Sequence, residues 1–250
     1  MSEAAFRVDG DAYDDFMGRY STRLAVVFAD FAGVEAGSRV LDVGAGTGAL
    51  TAELVSRGAS VAATDPSPEF VAVLRTRFPN LEVEQAPAES LPYGAGVFDL
   101  ALAQLVLAFV TDGPAAVAEM ARVARRVAAC MWGVEEVDMF AAIDRTAETI
   151  GASRATEPRR YRTPQELHDV LAPHGEVETA ELDVTAGYRD FDEFWQAMGR
   201  GVGPAGQWVA SLDDDTRQRA REELFRELGS PSGPFDLNAR AFAVAVTPQP

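Results

Sequence analysis

The sequence predicts an α/β protein built on a mostly parallel sheet, and three observations support this. Short apolar strands alternate with helical segments over the first half of the chain. The first strand ends near Asp42 and runs into a turn that contains Gly44, Gly46 and Gly48. Glycine has no Cβ and lets a ligand approach the backbone closely. A turn of this kind at the carboxyl end of a parallel strand is where open α/β sheets bind nucleotides.

The individual elements follow from apolar periodicity and turn residues. Helical spacing from Asp11 to about Phe31 predicts a pair of N-terminal helices ahead of the first strand. The predicted strands are 39–43, 60–64, 81–85, 97–103, 126–131, 177–185 and 239–246. The predicted helices are 47–57, 68–77, 112–125, 135–150 and 163–171, with a mostly helical stretch over 188–228. Alternating strands and helices imply right-handed crossovers and a parallel sheet.

Composition excludes several classes of function. The 250 residues carry a formal net charge of −17, which would repel a phosphate backbone, so we expect no nucleic-acid partner. The most apolar run, 97–110, is too short for a membrane span, and the N-terminus lacks the layout of a secretion signal. Cys130 is the only cysteine, so an intramolecular disulfide is impossible. We expect a cytoplasmic protein without a metal site.

The glycine turn is compatible with two cofactor classes. The string GAGTGA fits the dinucleotide pattern G-x-G-x-x-G/A. Asp42 argues against a dinucleotide, because a carboxylate aimed at the turn is unfavourable for an anionic pyrophosphate. S-adenosylmethionine (SAM) carries a sulfonium and an ammonium and no phosphate. An acidic side chain beside the turn is favourable for these positive charges. Residues 39–50, RVLDVGAGTGAL, resemble motif I of the class I SAM-dependent methyltransferases: an acid, one residue, then G-x-G-x-G.

Two further segments agree with this resemblance. Asp65 ends the second strand about 20 residues beyond the turn, where an acid can accept hydrogen bonds from ribose hydroxyls. Residues 85–112 resemble the later methyltransferase motifs, which implies that Ala88 and Glu89 contact the adenine and that strand four passes the sulfonium. The cofactor residues expected in the sheet are Asp42, Gly44, Ala45, Gly46, Gly48, Asp65, Pro66, Ala88, Glu89 and Gln104.

The N-terminal string YDDFMGRYSTRLA resembles the lid of the type 11 subgroup of these enzymes. This implies that Tyr13, Arg19 and Tyr20 close over the cofactor, with Arg19 able to bind its carboxylate bidentately. The resemblance also implies a Rossmann-like, doubly wound, mixed seven-stranded sheet of order 3-2-1-4-5-7-6 with the last strand antiparallel. We expect a lid over 1–35 and a SAM-binding domain over 36–250, with helical cap insertions at about 133–165 and 187–235.

The residues that contact a substrate are harder to predict. Methyl transfer from a sulfonium needs alignment more than a catalytic side chain, so no catalytic residue is assigned. By topology and aromatic character the substrate candidates are Tyr13, Phe109, Trp132, Phe140 and Trp195. We expect His168 and His174 to lie at the surface. A basic cluster, Arg154, Arg159, Arg160 and Arg162, is a candidate for recognising an anionic group or, alternatively, a solvated loop.

The sequence therefore predicts a SAM-dependent methyltransferase that acts on the O, N or C nucleophile of a small molecule. One alternative is a protein of the same fold that binds SAM without methylating, such as a cyclase, a decarboxylase or a ligand sensor. An NAD-dependent oxidoreductase is a weaker alternative, because Asp42 opposes it and the chain has no lysine for a Tyr-x-x-x-Lys pair. The sequence does not indicate an oligomeric state.

Overall fold

The computed structural model describes residues 14–152, 160, 161, 163–200 and 203–248. The chain divides into two compact units. One, called the sheet unit, comprises 21–133, 159–182 and 241–250. The other, called the helical unit, comprises 1–20, 134–158 and 183–240. Among the described residues, no helix combines the length and the apolar character that crossing a membrane requires.

Seven strands form one sheet of order β3-β2-β1-β4-β5-β7-β6. The strands are β1 Arg39–Val43, β2 Ser60–Asp65, β3 Glu82–Gln85, β4 Phe98–Gln104, β5 Ala124–Val137, β6 Gly175–Tyr188 and β7 Phe235–Pro248. The pairs β1–β2, β1–β4, β2–β3 and β4–β5 are all parallel. The sheet order expected from the family resemblance is thus confirmed.

Strand β7 runs antiparallel to β6, as the resemblance implied. Across this pair Arg240 bonds to Asp183 at 2.7 Å and Thr185 to Asn238 at 2.9 Å, so residue numbers fall along one strand as they rise along the other. The helix-rich segment between β6 and β7 lets the chain return in the opposite direction.

The helices begin and end close to the predicted positions. A π-helical turn, Asp14–Gly18, leads into α1 Arg19–Ala32. The others are α2 Ala49–Ser56, α3 Pro68–Arg77, α4 Gly113–Val123, α5 Asp138–Ile150, α6 Pro164–Leu171, α7 Phe191–Gly199, α8 Gly203–Ser211 and α9 Asp214–Glu227. Helix α6 starts with the predicted cap: the Thr163 hydroxyl accepts the Glu166 N–H, and the Glu166 carboxylate accepts the Thr163 N–H.

The predicted boundaries at the N-terminus and in strands β5 and β7 were wrong. The N-terminal helix pair is one continuous run over 14–32, because nothing in the sequence there breaks the helix after the π turn. Strand β5 continues to Val137, where a helix was predicted from residue 135, and β7 begins at Phe235 instead of 239. Strands β5 and β7 are hydrogen-bonded neighbours in the sheet, and near their extended ends the side chains of Arg240 and Glu136 lie 3.8 Å apart.

Each unit has its own apolar interior. In the sheet unit, Leu41, Ala101 and Val127 on neighbouring strands are fully buried together with Met120 of α4 and Leu171 of α6. The helical unit is organised around an aromatic cluster, defined as Phe16, Tyr188, Phe191, Phe194, Trp195, Phe225 and Phe235. Phe194 is fully buried and meets Tyr188 edge-to-face with the ring centroids 5.1 Å apart.

Candidate cofactor site

The glycine turn folds tightly over the end of β2. The Thr64 carbonyl accepts the N–H groups of Gly44 at 2.8 Å and Ala45 at 2.9 Å. Gly44, Gly46 and Gly48 all have left-handed backbone, with φ of +70°, +58° and +94°. At Gly44 a Cβ atom would lie only 2.7 Å from the Val106 side chain. Glycine is therefore required here by both conformation and space.

Asp65 is built into the same turn. Its side chain is buried, Oδ2 accepts the Gly46 N–H at 2.9 Å, and Oδ1 accepts the Ser67 N–H at 2.9 Å. Burial raises the pKa of Asp65, and the two backbone donors act in the opposite direction. A carboxylate has about four acceptor sites, so each oxygen keeps capacity for a second donor.

Asp42 lies fully buried on β1, behind the turn. The Thr51 hydroxyl of α2 donates to Asp42 Oδ2 at 2.5 Å. Burial raises the pKa of Asp42 to about 7, Thr51 opposes this, and the charge of Asp65 adds to it. Sequence reasoning missed Thr51, although its position three residues after Gly48 on a short helix was a usable signal.

The carboxyl end of β4 contributes a strained connection. Gln104 donates from Nε2 to the Ser21 carbonyl at 3.0 Å, while its buried Oε1 has no hydrogen-bond partner among the described residues. Leu105 follows with φ of +63°, a rare conformation for a residue with a side chain. Its N–H donates to the Cys130 carbonyl, and Val106 then packs on Gly44. Val106 was not among the predicted site residues.

The residues predicted to flank the adenine occupy the next loop. Ala88 is buried, whereas Glu89 is half-buried and its Oε1 accepts the N–H groups of Thr111 at 2.7 Å and Asp112 at 3.1 Å. Glu89 thus fixes the start of α4 with one oxygen and leaves Oε2 for other donors. The Pro66 carbonyl accepts Gln85 Nε2 at 3.3 Å.

Two of the predicted lid residues lie in the helical unit, and Tyr13 lies outside the described residues. Arg19 donates to the Gly187 carbonyl at 3.0 Å, pairs with Glu193 at 2.5 Å and stacks over the Tyr188 ring. The buried Tyr20 hydroxyl accepts a hydrogen bond from Tyr188 at 3.3 Å, and burial raises the pKa of Tyr20. Binding of a cofactor carboxylate by Arg19 stays a prediction. It would require the Arg19 guanidinium to bind the cofactor carboxylate together with Glu193 or in place of it.

The predicted substrate residues are divided between the two units. In the sheet unit Phe109 is 44% exposed and Trp132 is buried. In the helical unit Phe140 is half-buried on α5, and Trp195 stacks on Phe191 with the ring centroids 6.4 Å apart. Their contact with a substrate stays a prediction.

The histidines and the arginine cluster are less informative. His168 has a 39% exposed side chain beside Asp169, and His174 is half-buried after α6. Arg160 donates to the Thr111 carbonyl at 3.0 Å and lines a surface groove with Glu166 and Asp169. Acidic neighbours make this groove a poor site for an anion. Arg154, Arg159 and Arg162 lie outside the described residues.

Part of this chain matches a known protein family. Residues 41–131 match the model of the family described as "Methyltransferase domain". Over these residues the chain is similar to that family. The match contains the glycine turn, both buried acids, the loop of Ala88 and Glu89, and all of β4. The resemblance to the class I SAM-dependent enzymes of the type 11 subgroup is confirmed for this part of the chain.

Curated relatives are similar to part of this chain. An uncharacterized methyltransferase of Mycobacterium tuberculosis, Rv3342, is 43% identical over 90 residues. A second protein of that organism, Rv1403c, is 36% identical over 107 residues. The alignments cover 36% and 41% of this chain and 37% and 39% of the relatives. The chain thus spans little more than a third of the length of the relatives it matches.

Solved structures resemble the whole fold at low sequence identity. A protein from Anaeromyxobacter dehalogenans, named as a candidate type II methyltransferase, has a TM-score of 0.68 at 22% identity, covering 89% of this chain and 95% of that one. The [4+2]-cyclase SpnF has a TM-score of 0.58 at 18% identity, covering 98% and 87%. At such identities the likeness shows the fold alone, and the methyltransferase-like Rossmann fold is therefore established.

Proposed function

We propose that this chain is a SAM-dependent methyltransferase that acts on a small-molecule acceptor. The observation that carries the proposal is the buried Asp42 carboxylate behind the glycine turn, within the residues that match the methyltransferase family. A carboxylate at Asp42 would repel a pyrophosphate, whereas it attracts a cofactor with a sulfonium and an ammonium.

The described residues fit this cofactor. Asp65 would accept hydrogen bonds from the ribose hydroxyls, because both of its oxygens retain acceptor capacity beside the Gly46 and Ser67 amides. Gln104 Oε1 is a buried acceptor without a partner among the described residues, and an ammonium donor would satisfy it. The buried Ala88 supplies an apolar surface for the adenine, and Glu89 Oε2 an acceptor.

The bound cofactor would supply an electrophilic methyl group on a good leaving group. The chain has to hold the acceptor in line and exclude water, and such positioning contributes several kcal/mol. Residues 105–110, LVLAFV, which follow β4, are apolar and offer no general base. The proposed acceptor is therefore one that attacks without assistance from a base in this loop.

The charge of the chain supports a small neutral or cationic acceptor. A net charge of −17 disfavours nucleic acid and other polyanions. In the sheet unit Trp132 is proposed to contact the acceptor, since an aromatic face stabilises a cation or packs on an apolar ring.

The first experiment is thermal unfolding with SAM, S-adenosylhomocysteine (SAH) or NAD at saturating concentration. A ligand that binds only the folded state raises the midpoint. We expect SAM and SAH to raise it and NAD to leave it unchanged. A rise with NAD alone would contradict the proposal.

Methyl transfer itself is tested by mass spectrometry. The chain is incubated with SAM and a set of small amines, phenols and carboxylic acids, and products are examined for the gain of one methyl group. A matched reaction with the Asp65→Ala variant should show much less product. Binding of SAM without product from any acceptor class would favour the non-methylating alternative.

A further inference from the structure

Thr51 occupies an unusual position for a buried threonine. It lies in the first turn of α2, directly after the glycine turn, and its side chain is fully buried. A helical threonine commonly donates its hydroxyl to the carbonyl four residues earlier. Thr146 on α5 does this, donating to the Ala142 carbonyl at 2.8 Å. The Thr51 hydroxyl instead donates to Asp42 Oδ2 at 2.5 Å.

The surroundings of Asp42 make this hydrogen bond consequential. Asp42 is 1% exposed, so water cannot replace a lost donor, and a buried carboxylate without donors is costly. Thr51 acts on Asp42 through both its hydroxyl and its backbone N–H. Asp65, from β2, is the charged group that acts on Asp42, and it opposes ionisation. The hydrogen bonds from Thr51 therefore favour the ionised form of Asp42, whereas burial and the charge of Asp65 disfavour it.

We propose that Thr51 is a positioning residue for the cofactor: its hydroxyl keeps the Asp42 carboxylate ionised and oriented behind the glycine turn, where that charge attracts the cationic end of SAM. This inference rests on the proposed function. It adds that cofactor affinity depends on a side chain that need not touch the cofactor.

The direction of the effect follows from proton linkage. The pKa of Asp42 is already raised to about 7 by burial, so near neutral pH the carboxylate is only partly ionised. Removing the Thr51 hydroxyl takes away a donor to the ionised form and moves this pKa further up. At neutral pH a larger fraction of Asp42 is then neutral. The affinity for SAM falls, and it recovers at higher pH.

The test is calorimetric titration of the full chain with SAM and with SAH from pH 6 to pH 9. The variants are Thr51→Val, which keeps the shape and removes the hydroxyl, and Thr51→Ser, which restores it. We expect Thr51→Val to weaken SAM binding at pH 7 about fivefold and to shift the midpoint of its pH profile upward by about one unit. Thr51→Ser should follow the wild type.

Two control variants isolate the role of the hydroxyl. Thr146→Val makes the same change at a buried threonine whose hydroxyl bonds to a backbone carbonyl, and it should leave the profile unchanged. Asp42→Asn should remove the part of the pH dependence that differs between the Thr51 variants. The ligand ammonium titrates at about pH 8, and because it is common to all variants it cancels in their differences.

The outcomes separate this inference from the proposed function. If the wild type binds neither SAM nor SAH, both fail. If the wild type binds and Thr51→Val keeps its profile, or loses affinity equally at every pH, the positioning role is wrong while the function stands. If Thr51→Val does not fold, Thr51→Ala serves as the second variant, with the same expected shift of the pH profile.

Discussion

The glycine turn of the sheet unit and the aromatic cluster of the helical unit are stabilised by different interactions. At the turn, backbone N–H groups and one hydroxyl fix two buried carboxylates at 2.5 to 2.9 Å. In the aromatic cluster, rings pack on one another with centroids 5.1 to 6.4 Å apart. Hydrogen bonds are directional, so the turn tolerates few substitutions, whereas ring packing depends mainly on volume. Substitutions at the turn should therefore change ligand binding, and those at buried rings such as Phe194 mainly stability.

The largest effect is expected from Gly44→Ala. The new Cβ would lie 2.7 Å from Val106, and the residue would keep a φ of +70°, which costs about 1–2 kcal/mol for a residue with a side chain. The turn or the 105–106 connection must move, and we expect SAH affinity to fall about 100-fold or more in calorimetry. Gly58→Ala is the matched control, with a φ of +78° and its nearest contact at 3.7 Å. Equal loss of affinity in both variants would contradict the comparison.

Asp65→Ala should weaken SAM binding by more than about tenfold, since the proposed ribose acceptor is lost. It also leaves the Gly46 and Ser67 amides without their acceptor, so we expect the free energy of unfolding to fall by about 1–3 kcal/mol. Asp99→Ala is the control, because Asp99 accepts the Arg39 N–H at the opposite end of the sheet. Denaturant titration and calorimetry on both variants measure the two effects. Unchanged SAM affinity in Asp65→Ala would show that the ribose site lies elsewhere.

Asp42→Asn should stabilise the ligand-free protein at alkaline pH. Burial raises the pKa of Asp42 from 3.8 to about 7, so the folded state favours the protonated form and loses stability as pH rises through about 7. The asparagine side chain does not ionise, so the variant does not lose stability in this way. At about 1.4 kcal/mol for each pKa unit, we expect its free energy of unfolding to exceed that of the wild type by a few kcal/mol at pH 8 and by less toward pH 5. Thermal midpoints at the two pH values measure it. An equal midpoint change at both would show that Asp42 does not titrate in this range.

The smallest effect is expected in the helical unit, from Arg145→Gln. Arg145 pairs with Glu227 at 2.6 Å between α5 and α9, and its side chain is 55% exposed. Exposed ion pairs contribute about 0.2–1 kcal/mol, so the thermal midpoint should fall by only a few degrees. The rise in midpoint caused by SAH should equal that of the wild type. A smaller rise would mean that this part of the helical unit also supports cofactor binding.

Local patterns were sufficient to predict the elements of the sheet unit. The glycine turn and Asp42 are nearly contiguous in the chain, and Asp65 lies about 20 residues beyond the turn. An acid beside a glycine turn favours a cationic ligand, so these residues predict the class of cofactor. The strand order came from the family resemblance and not from periodicity. The end of β5 and the start of β7 could not be predicted, because pairing between distant segments extends these strands.

The sequence by itself determined the alternation of strands and helices, the position of the glycine turn and the acidic character of its surroundings. These features depend on residues close together in the chain. Only the tertiary structure decided that Thr51 donates to Asp42, that Val106 packs on Gly44, and that Glu89 holds the start of α4. Each of these contacts joins segments that are separate in the chain, and its geometry is set by how those segments pack. It also decided that Arg19 pairs with Glu193, 174 residues away, which no local pattern indicates.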